Sequence, residues 1–238
     1  MRALNSRRKT RDMREVHEHI LDRMRAENAR APKSAEWRQL EAELEASGVD
    51  TTDLGIFSSV VPTSFDYEAA APTLVRWLPR MRDPVEKEVL ARSLTGVKTG
   101  RSEAARAIVA EFQNADMDAE SEKWAYGSAL ATLADDQIAD ELLELVRDRR
   151  HGDARQMLCD ALKRTKDPRA PDVLIELIDD DDVAGHAISA LRSYGPKTAL
   201  PHLSRARPKL EAVLTRPTAS PFAKRQAQKA LERLAVSP

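Results

Sequence analysis

The sequence predicts an all-α chain built as a row of helical hairpins, an α-solenoid, and three observations carry that reading. Alanine, leucine, arginine and glutamate are abundant among its 238 residues, while aromatics make up 4% and glycine occurs 8 times. Such side chains lose little rotamer freedom in a helix. A small residue followed by leucine recurs along the chain, at Ser93-Leu94, Thr132-Leu133, Ala161-Leu162, Ala190-Leu191 and Ala230-Leu231. Leu133, Leu162 and Leu191 follow one another at intervals of 29, and the outer steps of 39 and 40 leave room for insertions. An even period of this size is the mark of stacked supersecondary units. Finally, Leu90, Ala129, Leu158, Ala187 and Ala227 stand four residues before each repeat leucine, so each helix carries a leucine–alanine stripe on one face.

The elements follow in order. Residues 1–66 differ from the rest and are expected to form an N-terminal extension or cap, with the repeats over 67–238. The opening is basic, with Arg2, Arg7, Arg8, Lys9, Arg11 and Arg14 against Asp12. A helix with the stripe Met13, Val16, Ile20 and Met24 follows, then one with Trp37, Leu40 and Leu44. Between Asp50 and Ser64 the apolar runs Leu54-Gly55-Ile56-Phe57 and Val60-Val61-Pro62 have no period. They predict an irregular segment, or a short strand, packed on the first repeat to shield an open solenoid end. Beyond it, the first helices of the hairpins show stripes of their own: Leu74, Val75 and Leu78; Ile108, Val109 and Phe112; Leu142, Leu143 and Val146; Val173, Leu174, Leu177 and Ile178. Asp83-Pro84-Val85-Glu86 and Asp153-Ala154-Arg155-Gln156 read as capping boxes, and Ser220-Pro221 as a cap–proline pair. Gly48, Gly96 and Gly195 stand where helices should stop. The total is about five hairpins, the last closing the stack.

The stretch Asp167 to Gly195 reads as one complete unit: an Ala-Pro-x-x-Leu helix, an acidic turn and an x-x-Ala-x-x-Ala-Leu helix. It resembles the HEAT repeat, particularly the short variety also seen in phycobilin lyases, and the resemblance runs from about Asp66 to Ala235. It implies a right-handed stack in which the second helix of each hairpin lines the concave surface. Because such folds host many functions, it implies architecture more than activity. Arg155, seven residues before Leu162, matches the arginine of the repeat pattern, and the resemblance implies an ion pair with an acidic residue of a neighbouring unit. Lys87, Tyr126, Ala184 and Lys224 stand at the equivalent positions, so a regular column of such pairs is interrupted.

Helical geometry at about 100° per residue then sorts the second helices. Positions two, five, six and nine before each repeat leucine point away from the core stripe. Those two before are Arg92, Ala131, Asp160, Ser189 and Lys229, and those five before are Val89, Ser128, Met157, His186 and Gln226. Six before stand Glu88, Gly127, Gln156, Gly185 and Arg225, and nine before stand Val85, Trp124, Asp153, Asp182 and Phe222. The candidate partner-binding set is therefore Glu88, Arg92, Trp124, Ser128, Gln156, Asp160, His186, Ser189, Arg225 and Lys229. Trp124 and Phe222 fall at equivalent positions and suit contact anchors; packing on loops or on the adjacent helix is the alternative. Gly127 and Gly185 either admit a partner's backbone or let neighbouring helices approach.

Composition bounds the function. Lysine plus arginine (38) nearly balances aspartate plus glutamate (39), which counts against a dedicated nucleic-acid binder. Cys159 is the only cysteine, so an intramolecular disulfide is impossible and cysteine zinc motifs are absent; it is expected near the core edge as a buried, inert thiol. No apolar run approaches the roughly 18–20 residues of a membrane span, and no secretory signal opens the chain, so a cytoplasmic location is expected. The preference for arginine over lysine hints at a GC-rich bacterial genome. The acidic run Asp179 to Asp182 lacks the glycine-centred loop of a calcium site, and His17, His19, His151, His186 and His202 show no metal-ligand spacing. No phosphate-binding loop, dinucleotide fingerprint or nucleophile elbow occurs. The expectation is a non-enzymatic scaffold or adaptor with another protein as partner, without metal, cofactor or membrane. The alternatives are a DNA-binding or DNA-repair-like protein, supported by the basic opening stretch and by Trp124 with Arg92 and Arg225, and a chromophore lyase or chaperone.

Overall fold

The structure, a computed structural model, describes residues 18–31, 33–56, 64–116 and 119–236. The basic opening stretch, Met13, Val16, His17, Phe57 and the Val60–Pro62 run lie outside these residues. Among the described residues the regular structure is helical and no strand occurs. The chain divides into two compact units, residues 1–99 and 100–238.

The first unit holds α1 (residues 18–30), α2 (Ala35–Ala46), α3 (Tyr67–Trp77, running on as a 3-10 turn over Leu78–Arg80) and α4 (Pro84–Leu94). Helices α3 and α4 form a hairpin, and α2 packs on α3. Ser34 caps α2 by accepting from the Trp37 amide at 2.9 Å, and Asp83 caps α4 by accepting from the Val85 and Glu86 amides, each at 3.0 Å. The expected reciprocal bond from Glu86 back to its own cap does not form. Its carboxylate instead accepts from the Ser34 amide at 2.7 Å and the Ser34 hydroxyl at 2.5 Å, tying α4 to the start of α2. Gly48 ends α2 with φ of 84°, a left-handed geometry that suits glycine. The irregular segment beyond it is held by Asp53, which is buried. Asp53 accepts from Arg25 Nε at 2.7 Å and from the Ser64 amide and hydroxyl, each at 2.8 Å. Residues 52–55 form a turn, and a methyl group at Gly55 would meet Val89 at 3.1 Å, so this part of the extension packs directly on α4.

The second unit holds α5 (Arg101–Asn114), α6 (Glu120–Leu133), α7 (Ala139–Arg147), α8 (Gln156–Arg164), α9 (Ala170–Glu176), α10 (Ala184–Ser193), α11 (Pro196–Thr215) and α12 (Pro221–Val236). Successive helices pair as α5/α6, α7/α8, α9/α10 and α11/α12, and each second helix packs on the next, α6 on α8, α8 on α10 and α10 on α12. The result is a layer of second helices lying against a layer of first helices. Leu133, Leu162 and Leu191 are buried in it, as is Leu94 in the first unit, each contributing on the order of 2 kcal/mol of apolar burial. Leu231 of the α11/α12 hairpin is only half-buried.

Two of the expected local signals need correction. Asp153 to Gln156 is not a capping box: Asp153, Ala154 and Arg155 belong to a 3-10 stretch, Arg149–Arg155, broken at Gly152, and α8 begins at Gln156. Gly96 needs no left-handed backbone; it is small because a Cβ there would lie 2.4 Å from the Tyr67 ring. Ser220 does cap α12, accepting from the Ala223 amide at 3.1 Å with Pro221 in the first turn.

Candidate partner-binding face

The layer of second helices in the second unit turns one side toward its partner layer and leaves the other open. Trp124 and Ser128 come from α6, Gln156 and Asp160 from α8, His186 and Ser189 from α10, and Arg225 and Lys229 from α12. None of these eight is fully buried, whereas the leucine–alanine stripe of the same helices is. Trp124 is 47% exposed, a large apolar side chain at the surface of α6. Glu88 and Arg92 belong to α4 of the first unit, where Arg92 donates to Glu88 at 2.6 Å within the helix.

Contacts along the face explain its glycines. A Cβ on Gly127 would lie 3.0 Å from that of Met157, and one on Gly185 would lie 2.4 Å from Phe222 Cδ1. Both glycines therefore let the next second helix approach, which settles the two readings in favour of helix–helix packing. Phe222 correspondingly is half-buried, with its ring 5.0 Å from that of His186 and Arg225 6.0 Å from its centre. Phe222 thus packs on the adjacent helix, while its equivalent Trp124 remains largely exposed. Gln156 Nε2 donates to the Asp182 carbonyl at 2.9 Å, and Arg192 donates to Gln226 at 2.7 Å, so polar bonds bridge α8 to the turn before α10 and α10 to α12. Burial holds the His186 imidazole below its ordinary range, leaving a neutral ring that can both donate and accept.

Beneath this face lies a charged network. Arg155 is 0% exposed. It donates to the carbonyls of Gly152 at 2.8 Å and Val146 at 3.2 Å, and it pairs with Asp180 at 3.0 Å and Asp182 at 3.4 Å. Those carboxylates stand in the turn of the following hairpin, so the ion pair joins successive units. The four-residue acidic run is neutralised throughout: Asp179 pairs with Lys209 and Arg216, Asp180 with Arg149 and Arg155, Asp181 with Arg216 and Asp182 with Arg155. Cys159 is buried and its thiol is pushed well up from the usual range by loss of water, so it lacks the thiolate a nucleophile needs.

Two buried polar residues escaped the sequence reading, Lys123 on α6 and Glu111 on α5, and His151 packs edge-on against Phe112 at 5.1 Å. The signal existed for Lys123: ten residues before Leu133 it shares the stripe that holds Cys159, three before Leu162, because seven residues make nearly two turns.

Residues 109–192 match the family model for HEAT repeats. These residues are HEAT repeats. No curated protein and no solved structure matches the chain significantly. The HEAT segment runs from the end of α5 to α10, so it contains Arg155, its carboxylate partners and six of the candidate face residues. No helix among the described residues is long and apolar enough to cross a membrane.

Proposed function

We propose that the chain is a non-enzymatic protein-binding scaffold that grips another protein with the open side of its second helices. HEAT repeats commonly mediate protein interaction. The single observation that supports the reading here is Trp124, 47% exposed on α6, a helix whose other large apolar side chains, Tyr126, Leu130 and Leu133, are buried. Aromatic side chains of this kind dominate interface energetics, since they bury much area at small conformational cost. Around it the face offers hydrogen-bonding groups from Ser128, Gln156, His186 and Ser189 and charges of both signs from Asp160, Arg225 and Lys229. That mixture suits a protein surface better than a phosphate backbone, which asks for uniform positive charge. We assign residues 1–66 the role of an extension that covers α3 and α4, and residues 67–238 the binding repeats.

Affinity capture from the protein's own cell extract tests this. Trp124→Ala should reduce the recovered partner at least tenfold. Glu103→Ala, an exposed change on the first-helix layer, should leave recovery within twofold. Equal recovery by both variants would remove the face from the account. Binding of duplex DNA at physiological salt, with steep loss as salt rises, would replace the scaffold by the nucleic-acid alternative.

A further inference from the structure

We infer that the scaffold's partner presents a helical segment with one lysine or arginine and, one and two turns away, acidic residues. This inference rests on the binding-face reading above and specifies the chemistry of what is bound. Its starting point is a cleft of about 400 Å³ at the N-terminal ends of α8, α10 and α12, walled by Asp153, Asp181, Asp182, His186 and Phe222. No lysine or arginine lines it. Asp181 is already paired with Arg216 at 2.8 Å and Asp182 with Arg155 at 3.4 Å, but Asp153 is exposed and has no ion pair among the described residues. A carboxylate beside the His186 and Phe222 rings, tilted at 49° with centroids 5.0 Å apart, fits a guanidinium or ammonium group, which gains from both the charge and the aromatic wall.

Next to the cleft the sign reverses. Arg225 and Lys229 follow Phe222 on α12 by three and seven residues, or roughly 4.5 and 10 Å along the helix axis. Both are exposed and neither has an ion pair among the described residues. The surrounding hairpin is strongly basic, with nine lysines and arginines against two glutamates between residues 196 and 236. Much of that charge is consumed by Asp172, Asp179 and Asp181, which hold Arg205, Lys209 and Arg216. Arg225 and Lys229 are left over on the open side. An occupant lying along α12 with its cation in the cleft therefore places its next two turns over two unpaired positive charges. Complementary carboxylates at those turns follow from this arrangement.

The probe is a fluorescein-labelled helical 15-residue peptide with a lysine at one position and glutamates three or four and seven residues on, titrated into the full chain. Control peptides carry Lys→Gln or both Glu→Gln, and an 18-base-pair duplex DNA serves as polyanion. The lysine–glutamate peptide should bind roughly tenfold more tightly than either control. Asp153→Asn should remove the preference over the Lys→Gln peptide, and Arg225→Gln with Lys229→Gln the preference over the Glu→Gln peptide. All three residues are exposed, so thermal unfolding of the variants should match the parent. Charge reversal at Arg225 and Lys229 to glutamate should transfer binding to a peptide whose glutamates are replaced by lysines. Equal binding of all peptides, preference for the DNA, or indifference to the variants would overturn the inference. If those results came with intact Trp124-dependent capture, only the assigned partner chemistry would fall; loss of that dependence as well would end the scaffold reading.

Discussion

Arg155 concentrates the physics of the second unit in one side chain. Its guanidinium is fully buried, yet its donors are matched by two carbonyls and two carboxylates. Removing it leaves buried Asp180 with only the exposed Arg149 as its ion-pair partner and takes a donor from two carbonyls. Arg155→Ala should therefore cost about 3–5 kcal/mol in denaturant unfolding. Arg155→Lys should recover little of it, because an ammonium lacks the planar fork. His151 makes a second residue-scale prediction. Burial against Phe112 and the positive charges of Lys123, Arg150 and Arg155 depress its pKa, with only Asp148 opposing. The folded state thus binds its proton more weakly than the unfolded chain does. Its stabilising contribution is complete above the unfolded value of about 6.5 and is lost as pH falls through that value toward the lower folded one. His186 is depressed in the same sense. Asp53, held down to about 2 chiefly by its bond from Arg25, titrates only in stronger acid and leaves this window alone. His151→Phe should flatten the decline in melting temperature between pH 7 and pH 5; an unchanged slope would mean that the imidazole is not buried as described.

At the scale of elements, the spacing of second helices is set by residues with no side chain. Gly185→Ala brings a methyl group to 2.4 Å from Phe222 and 3.2 Å from the Ala223 amide, so α12 must shift or the ring must leave. A helix gains about 1 kcal/mol from the exchange of glycine for alanine, but overpacking costs about 1–3 kcal/mol. A net loss of melting temperature is expected for Gly185→Ala, larger than for Gly127→Ala, where the neighbour stands at 3.0 Å. A rise for Gly185→Ala would show that α10 and α12 are not in contact there. The helices themselves were legible because leucine at 29-residue steps, with alanine or leucine four before it, leaves little freedom about which side is buried. Their exact beginnings were not. Asp153 with Gln156 has the composition of a capping box, but Gly152 breaks the backbone and Gln156 prefers the Asp182 carbonyl. Glu86 likewise left its own cap for Ser34, 52 residues earlier, a contact that local spacing cannot reveal. Asp53 was missed for the same reason, since its partners Arg25 and Ser64 lie 28 and 11 residues away.

At the largest scale, that of the whole second unit, the consequence of stacking is an asymmetry between two layers. First helices and turns carry the exposed ion pairs between hairpins, such as Arg147 with Glu176 and Arg205 with Asp172, which contribute little individually. Second helices carry polar bridges and Trp124 on their open side. The candidate residues were legible in part: register alone picked Trp124, Gln156, Asp160, His186, Arg225 and Lys229 on the second helices, and none of them is fully buried. Register could not tell Phe222 from Trp124, since that difference depends on Gly185 and the closeness of the next helix. Hydrogen–deuterium exchange of the full chain, alone and with its captured partner, tests the central claim most directly. Slowed exchange should concentrate in α6, α8, α10 and α12, with α5, α7, α9 and α11 unchanged. Protection confined to the first helices, or none in the repeats, would contradict it.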